Sequence, residues 1–135
     1  MYQQMIFVNL ATDDVEASKK FFTELGYAIN PQFSTDECAC VVISDTIIAM
    51  LLSKQHYATF TKKEIADSTR TSEVLICLSA ESREKVDELV EKAVAAGGSA
   101  SGQTQDLGFM YGRSFDDLDG HTWEVVWMDP AAVQG

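Results

Sequence analysis

The stretch FDDLDGHTWEVVW, Phe115–Trp127, joins an acid-rich turn that closes on Asp119-Gly120 to an apolar and aromatic run of strand type. One carboxylate, Glu124, interrupts that run. A carboxylate among apolar side chains costs free energy unless a partner compensates it. The open possibilities for that partner are a metal ion, a bound small molecule or a hydrogen-bond network.

A second stretch of the chain aligns with this one and indicates a repeat. SDTIIAMLL, residues 44–52, falls on LDGHTWEVV, residues 118–126, so that Met50 occupies the place of Glu124. The elements that precede the two stretches also correspond: each has a strand, then the start of a helix, then a glycine that ends the helix. This pattern predicts two βαβββ units of about 65 residues each.

In the first unit the pattern predicts one helix and four strands. Asp13-Asp14 opens the helix and Gly26 ends it, because acids suit a helix N-terminus and glycine suits its end. The helix positions expected to be buried are Val15, Ser18, Phe21, Phe22 and Leu25. The expected strands are Met5–Ala11, Tyr27–Phe33, Cys38–Ser44 and Ile47–Ser53, with a hairpin at Asp45-Thr46.

The second unit repeats this order. Ser82 is the expected N-cap of a helix that Gly97 terminates. Its apolar positions are Val86, Leu89, Val90, Ala93 and Val94, and the expected strands are Glu73–Ser79, Ser99–Gln105, Phe109–Phe115 and His121–Trp127.

The expected organisation is a single α+β domain over residues 1–135, in which two tandem modules form a cupped mixed sheet. Module 1 covers about residues 1–53, a connecting flap 54–72 and module 2 about 73–129. Within the flap, Thr61–Glu64 has the pattern of a capping box and predicts a short helix. His56, Tyr57 and Phe60 either close over a cavity or anchor the loop.

Composition narrows the choice of partners and compartment. The net charge of −11 repels nucleic acids and anionic membranes and favours cationic ligands. The three cysteines lack the spacing of a zinc site and fit a reducing compartment. No signal peptide is evident at the start and no apolar run is long enough to span a membrane, so a cytoplasmic location is expected.

Two stretches carry a resemblance to a known superfamily. DDVEASKKFFTELGY, Asp13–Tyr27, resembles the first helix of the vicinal oxygen chelate superfamily, which includes glyoxalase I, extradiol dioxygenases and bleomycin-resistance proteins. FDDLDGHTWEV, Phe115–Val125, resembles its closing hairpin. GFMYGRSFDDLDGHTWEVVWMDP, Gly108–Pro130, is similar to a bacterial subgroup of glyoxalase-like proteins without an assigned reaction.

The resemblance implies the positions of metal ligands, because each unit of the metal-using members contributes one ligand from its first strand and one from its last. The last-strand positions are Glu124 and Met50, and a thioether has little affinity for a hard cation. In unit one the first-strand position is Phe7, which cannot coordinate, although Asn9 shares its face and is a weak oxygen donor.

In unit two the first-strand position falls on Glu73 or Leu75, and Glu73 is the chemically sensible choice. The implied metal site is therefore incomplete, with Glu124 and Glu73 as its metal ligands. Three protein ligands are the usual minimum for a catalytic site. No cofactor is expected, and a divalent Ni, Zn, Mn or Fe ion is the open alternative.

Three roles for Glu124 stay open from the sequence. It contacts a ligand, it acts as a catalytic general base beside Glu73, or it only accepts hydrogen bonds from Tyr111, Arg113 or His121. Strand alternation places His121 and Glu124 on opposite faces, which disfavours a joint metal site. The residues expected to contact a ligand are Phe7, Asn9, Met50, Glu73, Tyr111, Arg113 and Thr122.

The preferred function is a glyoxalase- or bleomycin-resistance-like protein that binds a cationic or aromatic small molecule in the cup between its modules. One alternative is a metal-dependent lyase, isomerase or dioxygenase, similar to lactoylglutathione lyase, that uses Glu124 and Glu73. Another is a partner-binding module whose cup is filled by its own side chains. A homodimer is expected in each case, because one helix covers only one face of a four-stranded sheet.

Overall fold

The structure is a computed structural model that describes residues 1–132. The chain divides into two compact units, of which the first spans Met1–Asp67 and the second begins at Ser68. Each unit contains one four-stranded mixed sheet and one long helix. The predicted pair of tandem βαβββ modules is therefore confirmed.

The first unit contains strands β1 to β4, a short 3-10 helix and helices α1 and α2. Their bounds are β1 Ile6–Thr12, α1 Val15–Glu24, β2 Ala28–Ile29, the 3-10 helix Pro31–Phe33, β3 Cys38–Val42, β4 Ile47–Ser53 and α2 Lys54–Tyr57. The strands lie in the order β1-β4-β3-β2. β1 and β4 are parallel, whereas β3 is antiparallel to both of its neighbours.

The second unit repeats the same topology with five elements. Their bounds are β5 Leu75–Ser79, α3 Arg83–Ala95, β6 Ser99–Asp106, β7 Met110–Asp116 and β8 Thr122–Met128. The strand order is β5-β8-β7-β6, with β5 parallel to β8 and the other pairs antiparallel. The first and last strands of this unit therefore lie side by side, as in the first unit.

Helix α1 packs as its sequence predicts. The Asp14 carboxylate accepts a hydrogen bond from the Ala17 amide at 3.0 Å and caps the N-terminus. Gly26 has φ of +106°, a conformation that glycine adopts without strain, and it follows the last turn. All five positions expected to be buried are buried: Val15, Ser18, Phe21, Phe22 and Leu25.

Helix α3 forms as predicted, but one residue of its predicted apolar stripe, Val94, is more exposed than the others. Ser82 caps it by accepting from the Lys85 amide at 3.1 Å. Val86, Val90 and Ala93 are 0% exposed, whereas Val94 is 41% exposed. At 100° per residue Val94 lies at the margin of the stripe, so the sheet covers it only partly.

Two predictions about local structure are wrong. The strand expected at Tyr27–Phe33 is limited to Ala28–Ile29, because Asn30 accepts from the Gln32 amide and starts a 3-10 turn at Pro31. The helix expected at Thr61–Glu64 is absent from that segment, where the Thr61 hydroxyl accepts from the Lys63 amide in a local turn.

The helix in the connecting segment lies earlier, directly after β4. Ser53 caps α2 by accepting from the His56 amide at 3.1 Å. The His56 ring meets the Phe60 ring edge-on, with centroids 5.2 Å apart, and Phe60 remains 68% exposed. No helix within residues 1–132 is long and apolar enough to cross a membrane.

Candidate functional site

The two faces of the second sheet differ in what covers them. Trp123 and Val125 of β8 are 1% and 0% exposed and lie on the side of α3, where the Trp123 ring stacks on Phe115. Strand alternation puts Thr122, Glu124 and Val126 on the opposite face. These three side chains are half-buried, so β8 has a core side under α3 and an open side that carries Glu124.

A shallow depression lies around Glu124 on this open face. It encloses about 150 Å³ and is open to solvent on one side. Its lining residues come from β6, β7 and β8 of one unit: Gly102, Gln103, Gln105, Gly112, Arg113, Ser114, Glu124 and Val126. The depression therefore brings together polar amides, one hydroxyl, one carboxylate and one apolar side chain.

The depression exists because of a bulge and two glycines. The register between β6 and β7 shifts between Ser101 and Gln105, as in a β-bulge. Gly102 in the bulge has φ of +63°, and a Cβ there would lie 3.0 Å from the Ser114 hydroxyl oxygen. A Cβ on Gly112 would lie 3.3 Å from Cγ2 of Val126. Larger residues at either glycine would fill this space.

The Glu124 carboxylate has no hydrogen bond or ion pair with any residue in the range 1–132. Its neighbours across the strands are Ser114 on β7 and Cys77 on β5. The Ser114 hydroxyl already donates to the Ser101 carbonyl. The Cys77 thiol is exposed, and burial together with the negative charge of Glu124 raises its pKa. The carboxylate is thus available to a ligand.

Arg113 borders the depression at its place in β7, but its side chain and that of Tyr111 lie on the other face of the strand and bind α3. The Tyr111 hydroxyl donates to Asp87 at 2.7 Å. The Arg113 guanidinium donates to Asp87 and to Glu91, at 3.0 Å each. The bonds from Tyr111 and Arg113 lower the pKa of the Asp87 carboxyl, and the bond to Asp87 raises the pKa of Tyr111. The hypothesis that either side chain donates to Glu124 is therefore wrong, and their role as ligand contacts stays a prediction.

Thr122 shares the face of Glu124 but is already engaged. Its hydroxyl donates to the Asp116 carboxylate at 2.7 Å, across the β7–β8 pair. This bond fixes the end of the hairpin next to the depression. Contact between Thr122 and a ligand stays a prediction.

Sequence reasoning missed the role of Asp117 in the turn before β8. Asp117 is 6% exposed, and its carboxylate accepts from Trp123 Nε1 and from the amides of Asp119 and His121, at 3.0 Å each. Desolvation is the largest influence on Asp117 and raises its pKa. The available signal was the buried indole of Trp123, whose N–H needs an acceptor.

The turn is also tied to the start of its own unit. The Ser68 hydroxyl donates to the Asp119 carbonyl at 2.6 Å. Gly120 has φ of +85°, and a Cβ there would lie 2.8 Å from the Ser68 carbonyl oxygen. Glycine is therefore required at this close approach.

The register does not bring Glu73 beside Glu124. β5 begins at Leu75, and Cys77 is the β5 residue that pairs with Glu124. Glu73 lies before the strand and is exposed. Because it precedes Cys77 by four positions at about 3.3 Å each, the expected carboxylate pair does not form within this unit.

The corresponding positions of the first unit carry soft or weak donors. β1 pairs Asn9 with Met50, and Phe7 with Ile48. Phe7 and Asn9 therefore share one face, as predicted, and the register adds Met50 to it; Phe7 is 57% exposed. Their contact with a ligand stays a prediction.

Comparison with known proteins agrees with this architecture. Residues 4–44 match the family model described as bleomycin resistance protein-like N-terminal. A hypothetical protein from S. aureus shares 31% identity, with a TM-score of 0.78 and 94% of each chain covered. No significant match was found among curated proteins.

Two further structures share the fold at lower identity. A glyoxalase-related enzyme from Fulvimarina pelagi is 23% identical, with a TM-score of 0.77 and coverage of 93% of this chain and 88% of that one. A lactoylglutathione lyase from Agrobacterium tumefaciens is 15% identical, with a TM-score of 0.67 and coverage of 93% and 94%. The chain thus has the fold of proteins of the glyoxalase/bleomycin resistance/dioxygenase class. The family-model match over residues 4–44 and the shared fold agree with the resemblance to the vicinal oxygen chelate superfamily.

The residues at the positions implied for metal ligands do not fit a hard divalent ion. Phe7 offers no donor and Met50 offers a thioether. Glu73 lies before β5 and away from Glu124, so Glu124 is the one carboxylate in place among them. Among residues 1–132, no group of three or more His, Cys, Asp or Glu side chains is close enough to hold a metal. We therefore assign no chemical step to such an ion.

Proposed function

We propose that this protein binds a small cationic or aromatic molecule at the depression around Glu124, and that the carboxylate contacts the ligand directly. The observation that carries the proposal is the Glu124 carboxylate itself, half-buried and without a partner among residues 1–132. A half-buried charge without a partner loses hydration, and a cation restores the lost interaction.

The shape of the depression limits the size of the group that enters it. A volume of about 150 Å³ is similar to that of an engineered cavity that holds one benzene ring. Val126 provides an apolar contact, while Gln103 and Gln105 provide amide donors and acceptors. A single aromatic ring or a compact alkylammonium group therefore suits the site.

The overall charge supports the same ligand class. A net charge of −11 raises the local concentration of cations and speeds their association at low salt. We therefore expect binding of cationic ligands to weaken as the ionic strength rises, because salt screens exposed charges.

The test is a thermal-shift and calorimetric screen that uses matched ligand pairs. Each aromatic ammonium compound is paired with its neutral carbon isostere, since a ligand that binds only the native state raises the melting temperature. At least one cation should stabilise the protein by several degrees more than its neutral pair. Glu124→Gln should abolish the difference, whereas Glu81→Gln, which removes an exposed charge from the same unit, should preserve it.

A flat response to every cation, or an equal response of the wild-type protein and Glu124→Gln, would contradict the proposal. A metal-dependent reaction that uses Glu124 and Glu73 gains no support from the strand register. Metal analysis of protein purified without chelator addresses that alternative directly.

We also propose that the protein forms a homodimer. β1 and β5 are edge strands of their sheets, and both expose large apolar side chains: Ile6 and Leu75 are each 56% exposed, and Phe7 is 57% exposed. Unpaired edges with apolar side chains favour association with another chain.

A further inference from the structure

The first sheet gathers three sulfur-containing side chains on one face, in the unit that does not contain the depression. Met50 of β4 pairs with Cys40 of β3, and Cys38 lies two positions before Cys40. Asn9 of β1 pairs with Met50 from the other side. Side chains in register and at alternate positions share one face, so one row runs from Asn9 through Met50 to Cys40.

This row lies on the face opposite α1. The Thr12 hydroxyl of β1 bonds the Ser18 hydroxyl of α1 at 2.8 Å, so Thr12 and Leu10 face the helix. Asn9 therefore points to the opposite side, together with its partner Met50.

Cys40 and Met50 are closely spaced across the strands. The Cys40 amide donates to the Ser34 hydroxyl at 3.0 Å, and its carbonyl accepts from the Asn30 amide at 2.9 Å. Both backbone groups of Cys40 thus point away from β4, which makes Cys40–Met50 a non-hydrogen-bonded pair with side chains about 4.5–5.5 Å apart at Cβ.

The thiols are sheltered, and the row opens to solvent at its other end. Cys38 is 7% and Cys40 4% exposed. Met50 is half-buried and Asn9 is exposed. The Cys38 thiol donates to the Phe33 carbonyl at 3.4 Å and lies 3.6 Å from the Thr35 hydroxyl oxygen, whereas the Cys40 thiol has no hydrogen-bond partner among residues 1–132. The row therefore runs from exposed Asn9 through half-buried Met50 to the two buried thiols.

We propose that Cys38, Cys40 and Met50 form a binding site for a soft, thiophilic monovalent ion such as Cu(I) or Ag(I). Two thiolates and a thioether are the donor set that such ions prefer, and hard divalent ions prefer oxygen and nitrogen donors. Binding releases the two thiol protons to solvent, so affinity increases as pH rises. The site does not include Glu124 and does not rest on ligand binding there.

The test is an anaerobic competition between the protein and bicinchoninate for Cu(I), with Ag(I) titration as a redox-inert repeat. All variants carry Cys77→Ser, which removes the one exposed thiol. The Cys77→Ser protein should take one equivalent of either ion. Cys40→Ser should weaken binding by at least about 100-fold and Met50→Leu by about tenfold, because each removes one soft donor.

Met50→Leu conserves volume and keeps the test valid if Cys40→Ser does not fold. Zn(II) and Mn(II) should not displace the bound ion at equal concentration. Loss of stoichiometric binding in Cys77→Ser alone would place the ion at the exposed thiol and overturn the proposal. Failure of the wild-type protein to compete, or full affinity in Met50→Leu and Cys40→Ser, would overturn it as well.

Discussion

Asp117 shows how one buried carboxylate can organise a turn. Its three accepted hydrogen bonds satisfy the indole of Trp123 and two backbone amides in the segment that leads into β8. β8 carries Glu124, so the position of the proposed ligand contact depends on this turn. Charged-group hydrogen bonds of this kind contribute more to stability than neutral ones.

Replacing Asp117 tests this role. Asp117→Ala leaves the buried Trp123 N–H without an acceptor, so we expect the free energy of unfolding to fall by about 2–4 kcal/mol. Urea unfolding followed by tryptophan fluorescence measures the change. Asp36→Ala, at an exposed position of the first unit, is the control and should change stability little. An equal effect of the two substitutions would contradict the assigned role.

The Asp117 carboxyl also predicts a pH dependence. Burial raises its pKa above the unfolded value of 3.8, so the folded state binds the proton more tightly. The part of the folding stability that comes from this tighter proton binding is therefore largest at low pH, and it is lost as pH rises through the raised pKa. Asp117→Asn should remove this component from a series of urea unfolding curves, and an unchanged profile would contradict the expectation.

Cys77 offers a spectroscopic report on Glu124. Burial and the Glu124 charge raise the pKa of the thiol, which lowers the thiolate fraction that reacts with disulfide reagents. Glu124→Gln should therefore speed the reaction of Cys77 with Ellman's reagent near pH 8 several-fold. Cys38 and Cys40 are buried and should react slowly. Glu81→Gln is the control. An equal reaction rate in the two variants would contradict an influence of the Glu124 charge on the Cys77 thiol.

At the scale of elements, Arg83 joins the start of α3 to the β6–β7 hairpin. Its guanidinium makes two hydrogen bonds of 2.8 Å to Asp106 and one of 3.0 Å to the Gly108 carbonyl. It also lies over the rings of Tyr111 and Trp127, at 5.0 and 5.3 Å from their centroids. Bidentate and cation–π contacts of this kind hold the β6–β7 hairpin, which carries the bulge, in place against the start of α3.

The Arg83 contacts lower the pKa of Asp106 from 3.8 to about 2. The stabilising contribution is therefore present above the unfolded pKa and is lost as pH falls from 3.8 to about 2. Asp106→Asn should lower stability at neutral pH and flatten the acid limb of the stability profile. Asp45→Asn is the control, and an acid limb that is unchanged in Asp106→Asn would contradict this role of the ion pair.

The elements of both units could be predicted largely because their signals are local and redundant. The helices have capping residues, an apolar stripe and terminal glycines, and those signals agree for α1 and α3. The errors at Tyr27–Phe33 and Thr61–Glu64 share one cause. In each, a side chain bonds the backbone two residues ahead and forms a turn that the pattern alone did not distinguish.

The candidate site was predictable only in part. Strand alternation accounts for the position of Glu124 on the face opposite buried Trp123. The sequence did not reveal that β5 pairs Cys77 with Glu124, because register depends on how the strands meet rather than on either strand alone. It also did not reveal the β6 bulge, which is a shift in the pairing of β6 with β7 between Ser101 and Gln105.

At the scale of the whole molecule, the exposed apolar edges predict association. Light scattering coupled to size-exclusion chromatography should give twice the chain mass of 14.9 kDa at micromolar concentration. Leu75→Asp, at the exposed edge strand β5, should shift the population toward monomer, whereas Ser79→Asp on the same face is the control. A monomeric wild-type protein would contradict the dimer.

The most direct test of ligand binding at Glu124 is to map the contacts by amide chemical shifts in ¹⁵N-labelled protein. The cation selected by the matched-pair screen should perturb Gly112, Ser114 and Glu124 most strongly, and those shifts should disappear in Glu124→Gln. Perturbations confined to the α3 side of β7 and β8, or to the first unit, would contradict a binding site at Glu124.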